Sequence, residues 1–254
     1  MRHYLACFLI NLDRSLKRLA FMQEQFHKLA MPWERVRAVD GDKVILPNPE
    51  IVDEQAFERR HHAVLRRGEI GCYLSHFSAL NLFLASGEEV GLILEDDVEP
   101  SPDLSAVLDA LIDCRNAWDL VKLHVTHPGG VITRRRLDDR HRLVSLAFRH
   151  GSAAAYVVNR TAALKLTAGL LPMTVPYDHE FERAWKYGFK LRALLPCPVS
   201  RRAFPSTITT TAPVNAIATT VNTRMHKPWH AQGGMVLFRG ANDVGRILHE
   251  FMQR

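Results

Sequence analysis

Val90-Gly91-Leu92-Ile93-Leu94 runs directly into Glu95-Asp96-Asp97. An apolar run of this length, with a turn before it and charge after it, predicts a buried central strand whose end carries three acids. Upstream, Ile70, Tyr73, Phe77, Leu80 and Leu84 recur every three or four positions between Glu69 and Leu84, and Ser86-Gly87 ends the pattern. That spacing predicts a core-facing helix feeding the strand. Further upstream, Tyr4 to Ile10 reads as a first strand, Leu16, Leu19, Met22, Phe26 and Leu29 mark a helix over 15–30, and Val36 to Val39 reads as a second strand closed by Asp40-Gly41-Asp42. Downstream, Leu104, Val107, Leu108, Leu111 and Ile112 predict another helix, and strands are expected at Leu120 to Val125 and Ala153 to Val158. Strand and helix signals that alternate in this way specify an α/β sheet covered on both faces.

Composition bounds the rest. The 254 residues are 47% hydrophobic, which suits one domain with a large core, and the formal charge of +6 favours an anionic partner: nucleic acid, a nucleotide diphosphate or an acidic lipid surface. Cys7, Cys72, Cys114 and Cys197 lie far apart with no CxxC pair, so neither a zinc ribbon nor a disulfide framework is indicated and a reducing compartment fits. The apolar start is short and lacks a small-residue cleavage site, so it reads as strand rather than signal peptide. With no apolar stretch near the roughly 20 residues that cross a bilayer, membrane contact is expected to be peripheral. The charged run Arg134 to Arg142 predicts a solvated hairpin or loop, or a contact for an anionic acceptor.

Glu95-Asp96-Asp97 carries the chemistry. Three successive carboxylates repel one another and resist desolvation unless a counter-charge is present, and a divalent cation supplies one. Ligands of open α/β sheets bind at the carboxyl ends of strands, where these acids lie. Mg²⁺ and Mn²⁺ take one or two protein carboxylates and leave positions for substrate phosphates. An acidic turn leading to the next helix is the alternative. Cys72 and His76 have the i, i+4 spacing of a metal pair, but no second ligand pair is evident, so hydrogen bonding by Ser75 and His76 is the preferred reading. His124 and His127, near a strand end, are candidates for an acceptor contact.

Several separated motifs then resemble one family. They are Ile10-Asn11-Leu12-Asp13-Arg14-Ser15 with Arg18, Arg37-Ala38-Val39-Asp40-Gly41, Gly68-Glu69-Ile70-Gly71-Cys72-Tyr73-Leu74-Ser75-His76, and Leu92-Ile93-Leu94-Glu95-Asp96-Asp97. Gly151-Ser152-Ala153-Ala154-Ala155-Tyr156, Pro176-Tyr177-Asp178-His179-Glu180 and Ser206-Thr207-Ile208 follow in order. Together they are similar to glycosyltransferase family 25, the lipooligosaccharide galactosyltransferases.

The resemblance implies a GT-A fold over residues 1–220, a single nucleotide-binding α/β domain with a central, mostly parallel sheet flanked by helices. It implies Mn²⁺ or Mg²⁺ at Asp97, with Asp96 as a second ligand, and Glu95 and Asp96 facing the nucleoside. Asn11, Leu12, Asp13, Arg14, Arg18, Asp40, Glu69, Ser75 and His76 complete the expected donor site. The donor is then a UDP-sugar, UDP-galactose first, the acceptor a lipid-linked glycan such as lipopolysaccharide core, and nucleic acid drops out as a partner. If transfer inverts the anomeric carbon, Asp178 is the first candidate for general base and Glu180 the second, with helix capping the plain alternative for Asp178. The basic tail, 221–254, places Val244, Ile247, Leu248 and Phe251 on one stripe of a helix that packs on the domain or rests on an anionic membrane face. A cytoplasmic protein, peripheral on the inner membrane, is the expected setting. A metal-dependent nucleotide hydrolase or nucleotidyltransferase and a non-catalytic sugar-nucleotide or glycan-binding module are the rival readings.

Overall fold

β1 (Leu5–Asn11) lies between β2 (Glu34–Arg37) and β3 (Val90–Glu95), parallel to both, in a computed structural model that describes residues 5–61 and 63–204 together with Val214 and Gly245. Five further strands complete the sheet: β5 (Leu120–Lys122), β6 (Val131–Arg136), β7 (Arg142–Leu146), β8 (Ala155–Asn159) and β9 (Leu191–Leu195). Among the described residues its order is β2-β1-β3-β8-β5-β9-β7-β6. β4 (Val98–Pro100) follows the acidic tripeptide and pairs antiparallel with β10 (Val199–Arg201) in a separate ribbon.

The α/β architecture is the expected one, but the sheet is mixed. It is parallel across β2-β1-β3 and between β5 and β9, and antiparallel at its other four pairings. The expectation of a mostly parallel sheet thus holds for one half of it. In the other half β8 returns beside β3 with opposite sense, and a hairpin closes the edge.

Strands β1, β3 and β8 read as nearly unbroken apolar runs because helices cover both of their faces. Phe8, Ile10, Ile93, Tyr156 and Val158 point to one side, against α3 (Arg67–Ser86) and α5 (Arg160–Thr167). Cys7, Leu9, Leu92, Leu94 and Val157 point to the other, against α1 (Leu16–Lys28) and α4 (Leu104–Asp113). The predicted helices occur within a few residues of their expected bounds, and Gly87 ends α3 in the left-handed region at φ 79°. The strand expected at Val36 to Val39 begins earlier, and the one expected through Val125 stops at Lys122. The charged run is the outer part of the β6–β7 hairpin, where exposed arginines protect an edge strand from pairing with another chain. No sequence expectation covers α2 (Glu54–His61), β9 or β10. No helix among the described residues is long and apolar enough to cross a membrane. Apart from Gly245, which lies against the Trp185 indole, the proposed tail helix falls outside the described residues.

One close approach positions the site. The 3-10 turn Gly41–Lys43 packs on the first turns of α3, so tightly that a Cβ on Gly71 would stand 2.6 Å from the Val39 carbonyl oxygen and 2.8 Å from the Gly41 nitrogen. Both obstacles are backbone and cannot rotate away. Gly71→Ala is therefore expected to destabilise the protein by about 1–3 kcal/mol, read as a lower urea midpoint at unchanged m-value. An unchanged midpoint would show that α3 does not approach the turn this closely.

Candidate functional site

β1 and β3 end side by side, with Ile10 in register with Glu95, so Asn11 and Asp96 emerge as neighbours at the carboxyl edge of the sheet. Asn11 is buried and donates from Nδ2 to Asp96 Oδ2 at 2.6 Å and to the Ser15 carbonyl at 3.2 Å. Arg18, from the first turns of α1, donates to Asp96 Oδ1 at 2.9 Å. Asp96 is thus a buried anchor with one hydrogen bond to each oxygen. Asp97, with its side chain 16% exposed, lines the cleft beside it.

The cleft has a volume of about 230 Å³. Ile10, Leu12, Ala38 and Val39 form an apolar wall, Cys72, Ser75 and His76 line the α3 side, and Arg201, Arg202 and Phe204 complete the lining, the last two packed against Arg18 and Phe21 of α1. Arg201 comes from β10, which its pairing with β4 holds beside the acids. Its Nη2 lies 2.7 Å from Glu95 Oε2 and 3.2 Å from Asp97 Oδ2. Arg201 and Arg18 thus bring positive charge to the three acids. The sequence offered no signal for Arg201, which stands on a three-residue strand over a hundred positions away.

These contacts split the two flanking acids. Burial pushes Glu95 up, but the bond and charge of His76 and the Arg201 guanidinium outweigh it and bring the carboxyl down to about 2. Asp97 goes the other way, to about 6, because burial and the neighbouring Glu95 charge outweigh Arg201 and Arg18. Glu95 also faces α3, with Oε1 3.2 Å from His76 Nε2 and 3.7 Å from Cys72 Sγ. The other nitrogen of His76 lies 3.2 Å from the Tyr156 hydroxyl, and its ring stacks on Tyr177 at 4.2 Å.

The remaining sequence candidates divide. Leu12, Arg14 and Ser75 line the cleft. Arg14 pairs with Asp40 at 2.5 Å, and Asp40 also accepts the Asp42 N–H that starts the 3-10 turn. The buried Ser75 accepts the Val39 N–H at 2.8 Å and donates to the Gly71 carbonyl, tying the chain after β2 to α3. Asp13 lies outside the cleft, paired with Arg35 at 3.0 Å and Arg37 at 2.5 Å. Glu69 also stands apart from it and accepts the Arg66 N–H at 2.8 Å where α3 begins.

Asp178 and Glu180 share the short helix α6 (Tyr177–Phe181) but have different surroundings. Asp178 Oδ2 accepts the Ser152 N–H at 3.2 Å, and burial, with Glu182 nearby, raises its carboxyl above the usual range. Glu180 is buried and bound by Arg183 at 2.8 Å, Lys186 at 2.5 Å and the Tyr187 hydroxyl at 2.5 Å. Burial pushes Glu180 up, yet these partners outweigh it and its carboxyl is lowered. His124 joins the Asp178 side through a 2.7 Å contact with Ser152 Oγ. Burial first, then the charges of Arg201 and Lys122, lower the His124 pKa. Behind this loop Lys122 Nζ lies 2.5 Å from Glu182 Oε1 and donates to the Gly151 carbonyl, with both side chains fully buried. Glu182 also accepts the His150 N–H at 3.3 Å, so the ion pair pins residues 150–152.

A mixed α/β sheet whose strand ends carry an acidic, arginine-rimmed cleft has the form and the charge of a site for a small, charged ligand. The family model described as glycosyltransferase family 25 (LPS biosynthesis protein) matches residues 5–181, and the chain belongs to this family. A "Glycosyltransferase 25 family member" of Drosophila pseudoobscura pseudoobscura is 28% identical over 212 residues, covering 74% of this chain and 32% of the relative. "Procollagen galactosyltransferase 1" of Danio rerio is 24% identical over 184 residues, covering 67% of this chain and 30% of that protein. The chain spans about a third of the length of these curated relatives. Among solved structures, A197 from STIV is similar with a TM-score of 0.42 at 12% identity, over 75% of this chain and 81% of that one.

Proposed function

We propose that this chain is a hexosyltransferase that moves galactose from UDP-galactose, with inversion, onto a lipid-linked glycan such as lipopolysaccharide core. The observation that carries this reading is Asp97 facing a cleft that holds an apolar wall on one side and Arg14, Arg201 and Arg202 around it. The wall suits a flat base, and the guanidinium groups suit a diphosphate, which Arg binds through a planar fork. Asp97 offers an oxygen ligand of the kind Mn²⁺ or Mg²⁺ requires. A metal held there would neutralise the charge that develops on the leaving diphosphate.

Of the two candidate bases, Asp178 is the stronger. One of its oxygens is held by the Ser152 N–H, and its raised carboxyl favours taking a proton. Glu180 is occupied by two cations and a hydroxyl that favour its ionised form. The acceptor hydroxyl oxygen attacks the anomeric carbon as the bond to the diphosphate oxygen breaks, and the hydroxyl proton passes to Asp178. Procollagen galactosyltransferase among the relatives supports galactose, and the family's description supports a lipopolysaccharide acceptor. Such an acceptor places the enzyme at the cytoplasmic membrane face, with the 221–254 tail as the contact.

The test is UDP release from a panel of UDP-sugars with Mn²⁺ or with EDTA, each with and without truncated lipopolysaccharide core. Release that needs metal, selects UDP-galactose and is stimulated by core is the expected result, and Asp178→Asn should lose transfer by about 10²-fold or more while still binding UDP. Release indifferent to acceptor would replace the reading with a hydrolase, and UDP binding without turnover on any acceptor with a binding module.

A further inference from the structure

Cys72 and His76 stand one turn apart on α3, and β3 brings Glu95 to meet them from the sheet. Glu95 Oε1 lies 3.2 Å from His76 Nε2 and 3.7 Å from Cys72 Sγ, and the three ligand atoms all fall within 4.8 Å of one another. A tetrahedral ion with bonds of about 2.3 Å to sulfur and about 2.0–2.2 Å to nitrogen and oxygen sets such atoms roughly 3.3–3.6 Å apart. Two edges of that tetrahedron are therefore close to their required length before any ion arrives.

The surroundings of His76 and Glu95 favour ligation too, while burial and the Glu95 charge raise the Cys72 thiol, whose proton the ion must displace. The second nitrogen of His76 meets the Tyr156 hydroxyl, which is 2.9 Å from that of Tyr177, and the ring stacks nearly parallel on Tyr177, 3° from coplanar. Outer partners of this kind fix the ring of a metal-binding histidine. Glu95 turns Oε1 to Cys72 and His76 and Oε2 to Arg201, so it can hold an ion through one oxygen and keep Arg201 on the other. All three residues line the cleft, which gives an ion a way in and leaves a coordination position facing the open space.

We propose that Cys72, His76 and Glu95 form a metal site for a borderline divalent ion of the Zn²⁺ type, distinct from the hard-cation position at Asp97 and open to the cleft. Thiolate, imidazole and carboxylate together select such an ion over Mg²⁺ or Mn²⁺, which prefer oxygen alone. Binding displaces the Cys72 thiol proton to solvent and forms the metal–sulfur bond in its place.

Co²⁺ titrated into the full, metal-free chain under a thiol-free reductant tests the site, with no sugar nucleotide present, so the outcome is independent of the transferase reading. One equivalent should give the intense visible absorption of a tetrahedral ion with a thiolate-to-cobalt charge-transfer band, and Zn²⁺ should bleach both. Cys72→Ser should lose the charge-transfer band and bind about tenfold or more weakly, whereas Asp97→Asn should keep the band. In the unaltered chain, Zn²⁺ should also shield Cys72 from alkylation, a readout that needs no variant to fold. A pale six-coordinate spectrum without the band, a band that survives in Cys72→Ser, or alkylation of Cys72 at an unchanged rate would overturn the site.

Discussion

Asp97→Asn is expected to lower metal-dependent transfer by on the order of 10²–10³-fold, with the larger part of the loss in kcat. The substitution keeps the shape of the side chain but removes the charge that would bind the cation. The effect should be confined to this acid. Asp96→Asn removes a charge that Arg18 and Asn11 already hold, and should act on stability and donor affinity more than on the metal response. Arg201→Gln supplies a contrast of opposite sign, because the guanidinium binds the carboxylate that a cation would use. It should raise Mn²⁺ affinity of the nucleotide-free protein and weaken UDP binding. Titration calorimetry of Mn²⁺ and UDP, with steady-state kinetics, checks all three. Asp97→Asn activity within about threefold of the parent would remove Asp97 from the mechanism.

Removing either member of the buried Lys122–Glu182 pair should be the most damaging change to stability. Both side chains are fully buried and lie 2.5 Å apart, so Lys122→Met or Glu182→Leu alone leaves a buried charge without its main counter-charge, a loss of about 3–5 kcal/mol. The double variant should recover much of this, because it leaves neither charge. Urea unfolding of the two single variants and the double gives the coupling directly. Single variants that each lose less than about 1 kcal/mol would mean that water reaches the pair. The pair also holds Gly151 and His150, so even a folded single variant should lose acceptor-dependent activity through displacement of Ser152 and Asp178.

The parts of this architecture that sequence made legible are those governed by local periodicity. β3 is an apolar run closed by charge, α3 and α1 are helical stripes, and the Gly68 to His76 segment carries residues whose roles the Gly41–Gly71 contact explains. Pairing sense is a different matter. Nothing in Ala155 to Asn159 states that β8 runs against β3, since a strand covered on both faces looks the same in either direction. β10 is too short for any pattern, yet it carries Arg201. Its guanidinium is distant in sequence from the acids and reaches them only through the β4–β10 pairing. Glu69 and Asp13 failed to reach the cleft for a local reason: each has nearer partners, a backbone N–H at the start of α3 and two arginines of β2.

The stack of His76 on Tyr177 joins the α3 wall of the cleft to the residue next to Asp178. Tyr177 stacks in turn on Phe181, and Tyr73 meets it edge-on. For an engineer wishing to reshape this cleft, α6 is therefore a poor cassette to exchange by itself. A replacement that does not bring an aromatic ring to position 177 would loosen His76, and a change meant for the surroundings of Asp178 would be felt at the α3 wall of the cleft.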